Sequence, residues 1–129
     1  MAIYGTPVVA GGLVYLAGYN GKVYSFDASS LGVKWVYPPD DYLRDEEKKV
    51  VPVIGGLATD LEKVYFGGSD GKVYALDAAT GEEKWKFVTE DAIWSTPAVE
   101  DGTVYIGSFD KKLYAIDTAT GKEKWGGGF

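Results

Sequence analysis

The stretch DGKVYALDAATGEEKW, Asp70 to Trp85, decides the fold, because the chain writes it three times. DKKLYAIDTATGKEKW follows at Asp110 to Trp125, and a looser version, NGKVYSFDASSLGVKW, runs from Asn20 to Trp35. Only Lys72, Tyr74, Asp77, Lys84 and Trp85 are matched in both other copies. Working outward, Val14-Tyr15-Leu16, Val64-Tyr65-Phe66 and Val104-Tyr105-Ile106 lie 50 and 40 residues apart, and Trp35, Trp85 and Trp125 keep the same spacings. Thr6-Pro7-Val8, Gly56-Leu57-Ala58 and Thr96-Pro97-Ala98 each fall eight residues before the Val-Tyr pair. A fixed period in this range is the mark of a repeat architecture. The chain therefore reads as a single repeat domain over residues 1–129, with one blade at about 4–37, a second at about 54–87 and a third at about 94–127. The ten-residue excess between the first two copies is an acidic insertion at about 38–50.

Within a copy, four short apolar or alternating runs are divided by turn signals, which predicts four antiparallel strands. Asn20-Gly21 and Asp70-Gly71 are expected to form type I′ hairpin turns, whose two central residues both need positive φ. Asp110-Lys111 replaces that pair in the third copy, so its turn is expected to be strained or of another type. Farther on, Asp77 in DAATG should accept backbone hydrogen bonds while Gly81 takes the left-handed position. Asp27 and Asp117 stand at the same place and read as turn caps too. The first copy has Leu31 where the others have glycine, with Gly32 one place later, so this turn is expected to be shifted by a residue.

The third strand of each copy is apolar on both faces, as in Val73 and Ala75 against Tyr74 and Leu76. A sheet lying on a single core would alternate apolar with polar, whereas both faces greasy implies a neighbour on each side. The fourth strand sets Lys84 and Lys86 against Trp85 and Phe87 and so has one wet face. Four-stranded blades stacked around an axis account for this gradient.

Composition narrows the chemistry. The 129 residues are 46% hydrophobic and 15% aromatic, with ten tyrosines, a net charge of -6, no cysteine and no histidine. Enough apolar surface exists for a core. Without cysteine or histidine, a thiolate nucleophile, a disulfide and the commonest catalytic base and metal ligand are all missing. The acidic balance offers no basic face to a phosphate backbone, which argues against nucleic acid as a partner. No apolar run approaches the length of a membrane span, and the first residues, MAIYGTPVVAGG, lack the pattern of a signal peptide.

The run STPAVEDGTVYIGSFDKKLYAIDTATGKEKW, Ser95 to Trp125, resembles the repeat of the PQQ-like β-propellers, a family that holds quinoprotein alcohol dehydrogenases, the propeller of the bacterial outer-membrane assembly lipoprotein and some sensor domains. The resemblance implies an all-β fold of three four-stranded antiparallel blades. It also implies that Trp35, Trp85 and Trp125 dock each blade on its neighbour, and that the setting is periplasmic or extracellular. Members of that family close rings of about seven or eight blades, propellers in general have about four to eight, and three are present here. The ring is therefore expected to be completed by oligomerisation or by blades missing from this chain, with a dimer of six blades favoured because two-fold assembly is the commonest kind.

The remaining motifs give way to structural readings. Lys22, Lys72 and Lys112 begin strands beside the hairpin turns, where a solvated charge discourages edge pairing. GGSDGKVY, Gly67 to Tyr74, fails as a phosphate loop, because its lysine comes too early and Val73 stands where a hydroxyl should hold magnesium. The quinone of the dehydrogenases needs a complete ring and, commonly, a vicinal disulfide, so no cofactor and no metal is expected. The insertion places Asp40, Asp41 and Tyr42 on the loop-lined end of the blades, with Trp94 nearby. These four are the candidate binding residues, since loops carry function and aromatic residues anchor interfaces. The expectation is a non-enzymatic module for protein–protein interaction or assembly. The alternative is a fragment of a larger quinoprotein-type dehydrogenase or of a ligand-sensing propeller.

Overall fold

The computed structural model describes residues 3–18, 22–37, 56–93 and 95–124. Asn20-Gly21, the acidic insertion with Asp40, Asp41 and Tyr42, and also Trp94 and Trp125 lie outside the described residues. The described residues form eleven β-strands in three antiparallel sheets. The first sheet runs β1 (Ile3–Ala10), β2 (Leu13–Gly18), β3 (Val23–Asp27) and β4 (Val33–Tyr37), each paired with the next. The second repeats that order with β5 (Ala58–Thr59), β6 (Lys63–Gly67), β7 (Lys72–Asp77) and β8 (Glu83–Val88). The third has β9 (Ala98–Glu100), β10 (Thr103–Gly107) and β11 (Leu113–Asp117). Beyond β11, a bridge from Ile116 to Glu123 and the Lys124 N–H bonded to the Ala115 carbonyl at 2.7 Å begin a fourth strand.

The repeat extends to irregularities. In β3–β4 the register slips between Ser25, facing Trp35, and Phe26, facing Val33, and in β7–β8 it slips between Ala75, facing Trp85, and Leu76, facing Glu83. A bulge of this kind places two residues opposite one and re-aims side chains. Here it sits just ahead of the tryptophan, turning Lys34 and Lys84 outward.

The hairpin turns depart from expectation in an instructive way. At Asp70-Gly71 only Gly71 has positive φ, 83°, and the Gly71 N–H returns to the Gly68 carbonyl at 3.1 Å. The turn therefore spans Gly68–Gly71, with one left-handed residue rather than the two of a type I′ pair. Lys111 holds the same place in the third copy at φ 71°, a left-handed conformation that a lysine adopts at a cost. The paired positive φ appears instead between the first two strands of a sheet, at Gly11-Gly12 (59° and 78°) and Asp101-Gly102 (49° and 74°). The turn after β3 is not shifted. Leu31 itself takes φ 61°, and its N–H bonds the Asp27 carbonyl at 2.8 Å, as Gly81 does to Asp77 and Gly121 to Asp117.

The three sheets stack face to face. Tyr15, Ala17, Val23 and Trp35 of the first sheet pack on Val64, Phe66, Leu76 and Ala78 of the second, with Leu57 alongside. The opposite face of the second sheet, through Tyr65, Val73 and Ala75, meets Val104, Ile106, Tyr114 and Ile116 of the third, with Ile93 of the connecting segment buried between them. The second sheet is thus covered on both sides, as the two-faced apolar pattern of its third strand requires.

Candidate functional site

Each seam between sheets carries the same contact. The Trp35 indole N–H donates to the Ala78 carbonyl at 2.9 Å, and the ring leans on Tyr15 at 6.0 Å between centroids. Trp85 repeats this one blade later, donating to the Thr118 carbonyl at 2.8 Å and leaning on Tyr65 at 5.9 Å. The carbonyl belongs in both cases to the turn that the repeat spells Asp-x-x-Thr-Gly. A Cβ placed on Gly81 would stand 2.5 Å from the Trp35 ring, and one on Gly121 would stand 2.6 Å from Trp85. The glycine thus answers two demands at once, positive φ for the turn and room for the indole of the preceding blade. The sequence pattern supplied only the first.

The aspartates of these turns act locally. Asp77 Oδ1 accepts the Ala79 and Thr80 N–H groups at 2.8 and 3.0 Å, Asp117 Oδ1 accepts those of Ala119 and Thr120 at 2.9 and 3.0 Å, and Asp27 Oδ1 accepts those of Ser29 and Ser30 at 2.8 and 2.9 Å. The backbone donors hold the Asp27 and Asp117 carboxyls below the ordinary carboxylate value. For Asp77, burial is the largest influence and works upward, but the Thr80 and Ala79 N–H groups outweigh it and the carboxyl is lowered.

The opposite end of the stack holds the loops. The segment joining β8 to β9 is stitched to two hairpin turns: the Thr89 N–H and hydroxyl both donate to the Gly71 carbonyl at 2.8 and 2.7 Å, and the Ile93 N–H donates to the Gly68 carbonyl at 3.2 Å. The Phe109 N–H reaches the Ala92 carbonyl at 3.0 Å, and the Ser108 hydroxyl donates to the Asp91 carbonyl at 3.0 Å. The inter-blade connection and the hairpin turns therefore share one end. A further pair went unread in the sequence: Tyr74 donates to Asp70 Oδ2 at 2.5 Å, and Tyr114 donates to Asp110. Its signal was present as an aspartate four residues ahead of a tyrosine in Asp-x-Lys-x-Tyr. Burial pushes the Tyr114 hydroxyl well up, with Asp110 adding to it. Asp110 itself is lowered: burial works upward on it and is outweighed by the Tyr114 hydroxyl and the Lys112 and Glu90 N–H groups.

These carboxyls move down and these phenols move up, so all of them move away from neutrality. A general acid or base needs the reverse. Among the described residues no group of three or more acidic side chains is placed to share a metal ion, and the chain has no cysteine for the disulfide of the quinone sites. Nor is any helix of the described residues long and apolar enough to cross a membrane.

The sequence profile of the family described as outer membrane protein assembly factor BamB, a PQQ-like repeat, matches residues 44–126, more than half of the chain. The chain belongs to this family. Solved structures agree with it in fold. A quinohemoprotein alcohol dehydrogenase from Pseudomonas putida HK5 is 33% identical over 93% of this chain and 19% of its own, with a TM-score of 0.75. A europium-containing methanol dehydrogenase is 27% identical over 96% of this chain and 25% of its own, with a TM-score of 0.76. BamB from Moraxella catarrhalis is 27% identical over 92% of this chain and 34% of its own, with a TM-score of 0.70. The chain therefore spans a fifth to a third of the length of these relatives. No curated protein matches the sequence.

Proposed function

We propose that the chain is a non-enzymatic β-propeller module that works by protein–protein contact and assembly, its ring completed by further blades. One observation carries this reading: both ends of the stack present faces of the kind that elsewhere form seams. At one end Val14, Leu16, Tyr24 and Phe26 stand in the register of Val64, Phe66, Tyr74 and Leu76, which pack on the first sheet. At the other, Leu113 occupies the register of Val73, yet Leu113 is 42% exposed and Val73 is fully buried. Contiguous apolar surface left open to solvent marks an interaction site. Trp35 and Trp85 dock each blade on the next, and Trp125 holds the same place in the sequence repeat. The short share of each relative that the chain spans supports blades supplied from outside it over a second copy giving six blades. Asp40, Asp41, Tyr42 and Trp94 are the binding candidates of this reading.

The second reading, a piece of a quinoprotein dehydrogenase, draws on the 33% identity to a quinohemoprotein enzyme. The lowered carboxyls and raised phenols of the described residues, and a chain without cysteine, favour the module reading. Titration with pyrroloquinoline quinone and calcium separates the two. The module reading predicts no quinone absorbance shift and no alcohol-dependent dye reduction, together with binding of a hydrophobic dye that Phe26→Glu and Leu113→Glu each diminish. Quinone-dependent alcohol oxidation would overturn it.

A further inference from the structure

The free face of the first sheet is built on the seam plan with its polar lock removed. In both seams the receiving blade offers a glycine under the indole, Gly81 under Trp35 and Gly121 under Trp85. The first blade offers Leu31 at that place, with the same backbone hydrogen bond and the same left-handed φ, and its side chain is 70% exposed. Since a Cβ at Gly81 or Gly121 would lie 2.5 to 2.6 Å from the indole, Leu31 puts an atom where a docking tryptophan has to go. A second seam feature is missing as well. Glu83 accepts the Tyr37 hydroxyl across the first seam at 2.7 Å, and its counterpart in the first blade is Val33, 60% exposed. At Leu31 and Val33 the rim of this face is apolar where the other blades have Gly81 and Gly121 or Glu83 and Glu123, and Val9, 67% exposed and paired with Val14, extends it.

We propose that Leu31 and Val33 make the free face of the first blade selective: it takes an apolar blade that brings no tryptophan to the seam position, and it refuses Trp125 of a second copy. The inference rests on the reading that this face receives another blade, and adds which kind. Its partner is identified by continuity with the existing seams, because Val14, Leu16, Tyr24 and Phe26 keep the apolar residues that hold those seams together. Exclusion comes from a steric block against the wrong neighbour, as in other interfaces that discriminate by clash. Head-to-tail growth of the chain through its own repeated contact, which for a non-closing rotation leads to open filaments, is thereby prevented.

Sedimentation velocity over a micromolar concentration series, on the wild-type chain, Leu31→Gly, Leu31→Ala and each of these with Phe26→Glu, tests the proposal. Leu31→Gly should fold, since glycine suits φ 61°, and should self-associate roughly tenfold or more tightly than wild type. Leu31→Ala keeps the Cβ and should behave as wild type does. Phe26→Glu should abolish the gain. Equal behaviour of Leu31→Gly and Leu31→Ala overturns the role of Leu31. If that equality comes with wild-type association that Phe26→Glu removes, the face survives as a docking site and only its selectivity falls. Insensitivity of every variant to Phe26→Glu overturns the reading of the face and the proposal with it.

Discussion

The Tyr37 hydroxyl donates to Glu83 Oε1 at 2.7 Å across the first seam, bridging an outer strand of one blade to an outer strand of the next. The second seam has the same acceptor without the donor. Glu123 occupies the position of Glu83, its Oε1 is buried and has no hydrogen-bond partner among the described residues, and Phe87 stands where Tyr37 does. A buried acceptor left unpaired forfeits what it gave up in water. Phe87→Tyr should therefore supply the missing hydroxyl and raise stability by about 1 kcal/mol, read as a shift in the urea midpoint at unchanged slope. The reciprocal change, Tyr37→Phe, should lower it by a similar amount. A destabilised Phe87→Tyr would mean that the two seams differ in geometry as well as in sequence.

Ser25 is the repeat's other unmatched polar group. It is fully buried in β3, its Oγ has no partner among the described residues, and Ala75 and Ala115 hold the same register in the other sheets. Removing an unsatisfied hydroxyl while keeping the shape is neutral or stabilising. Ser25→Ala should leave the fold unchanged and gain roughly 0 to 1.5 kcal/mol in denaturant unfolding. A loss above about 1 kcal/mol would reveal a partner for the hydroxyl.

How much of this was legible follows from how far apart the interacting residues lie. The described strands, the doubly covered β7 and the end that the β8–β9 connection shares with the turns at Gly71 and Lys111 were readable, because each depends on a period or on chain direction. Which glycine was left-handed was partly misread: Asp70-Gly71 looked like a two-residue turn, but the closing bond runs from Gly71 to Gly68, and only pairing across β6 and β7 fixes that length. The turn at Leu31 was misread because leucine seemed unable to take φ 61°. Five consecutive turn residues with their aspartate cap imposed it. The Tyr37–Glu83 bond, 46 residues apart in the chain, was invisible since it depends on how two sheets are placed against each other.

Acid and alkali should unfold the chain through different groups. Asp77, Asp27, Asp117 and Asp110 have folded values below 3.8, so their contribution is present above that pH and is lost as pH falls through the lowered values. Tyr65 and Tyr114 are raised above 10.0, chiefly by burial and then by Asp60 and Asp110, so their contribution is intact below pH 10.0 and disappears as pH climbs beyond it. Chemical denaturation should show a plateau from roughly pH 5 to 9 with a fall on either side. Asp77→Asn retains an Oδ1 acceptor for the turn and should flatten the acid limb while leaving the neutral value nearly unchanged. An acid limb as steep as that of wild type would take Asp77 out of the turn.

The indole-on-glycine contact makes the sharpest prediction about what holds the blades together. Gly81 sits at φ 76° with the Trp35 ring 2.5 Å from where its Cβ would be, so Gly81→Ala meets two penalties, a left-handed alanine and an overpacked seam. Together these amount to about 3 kcal/mol. Trp35→Ala removes a buried indole and its bond to the Ala78 carbonyl, which should cost about 3 to 5 kcal/mol. Both substitutions relieve or abolish the same contact, so the double variant should cost less than the sum, since the added methyl then has room. Leu31→Gly, the same exchange in reverse at the matching turn of the first blade, which meets no indole among the described residues, should stabilise the isolated chain by roughly 1 kcal/mol. Additive losses at Gly81 and Trp35 in a denaturant-unfolding cycle would show that the indole does not depend on the glycine, and would remove the contact as the reason the repeat ends its turn as it does.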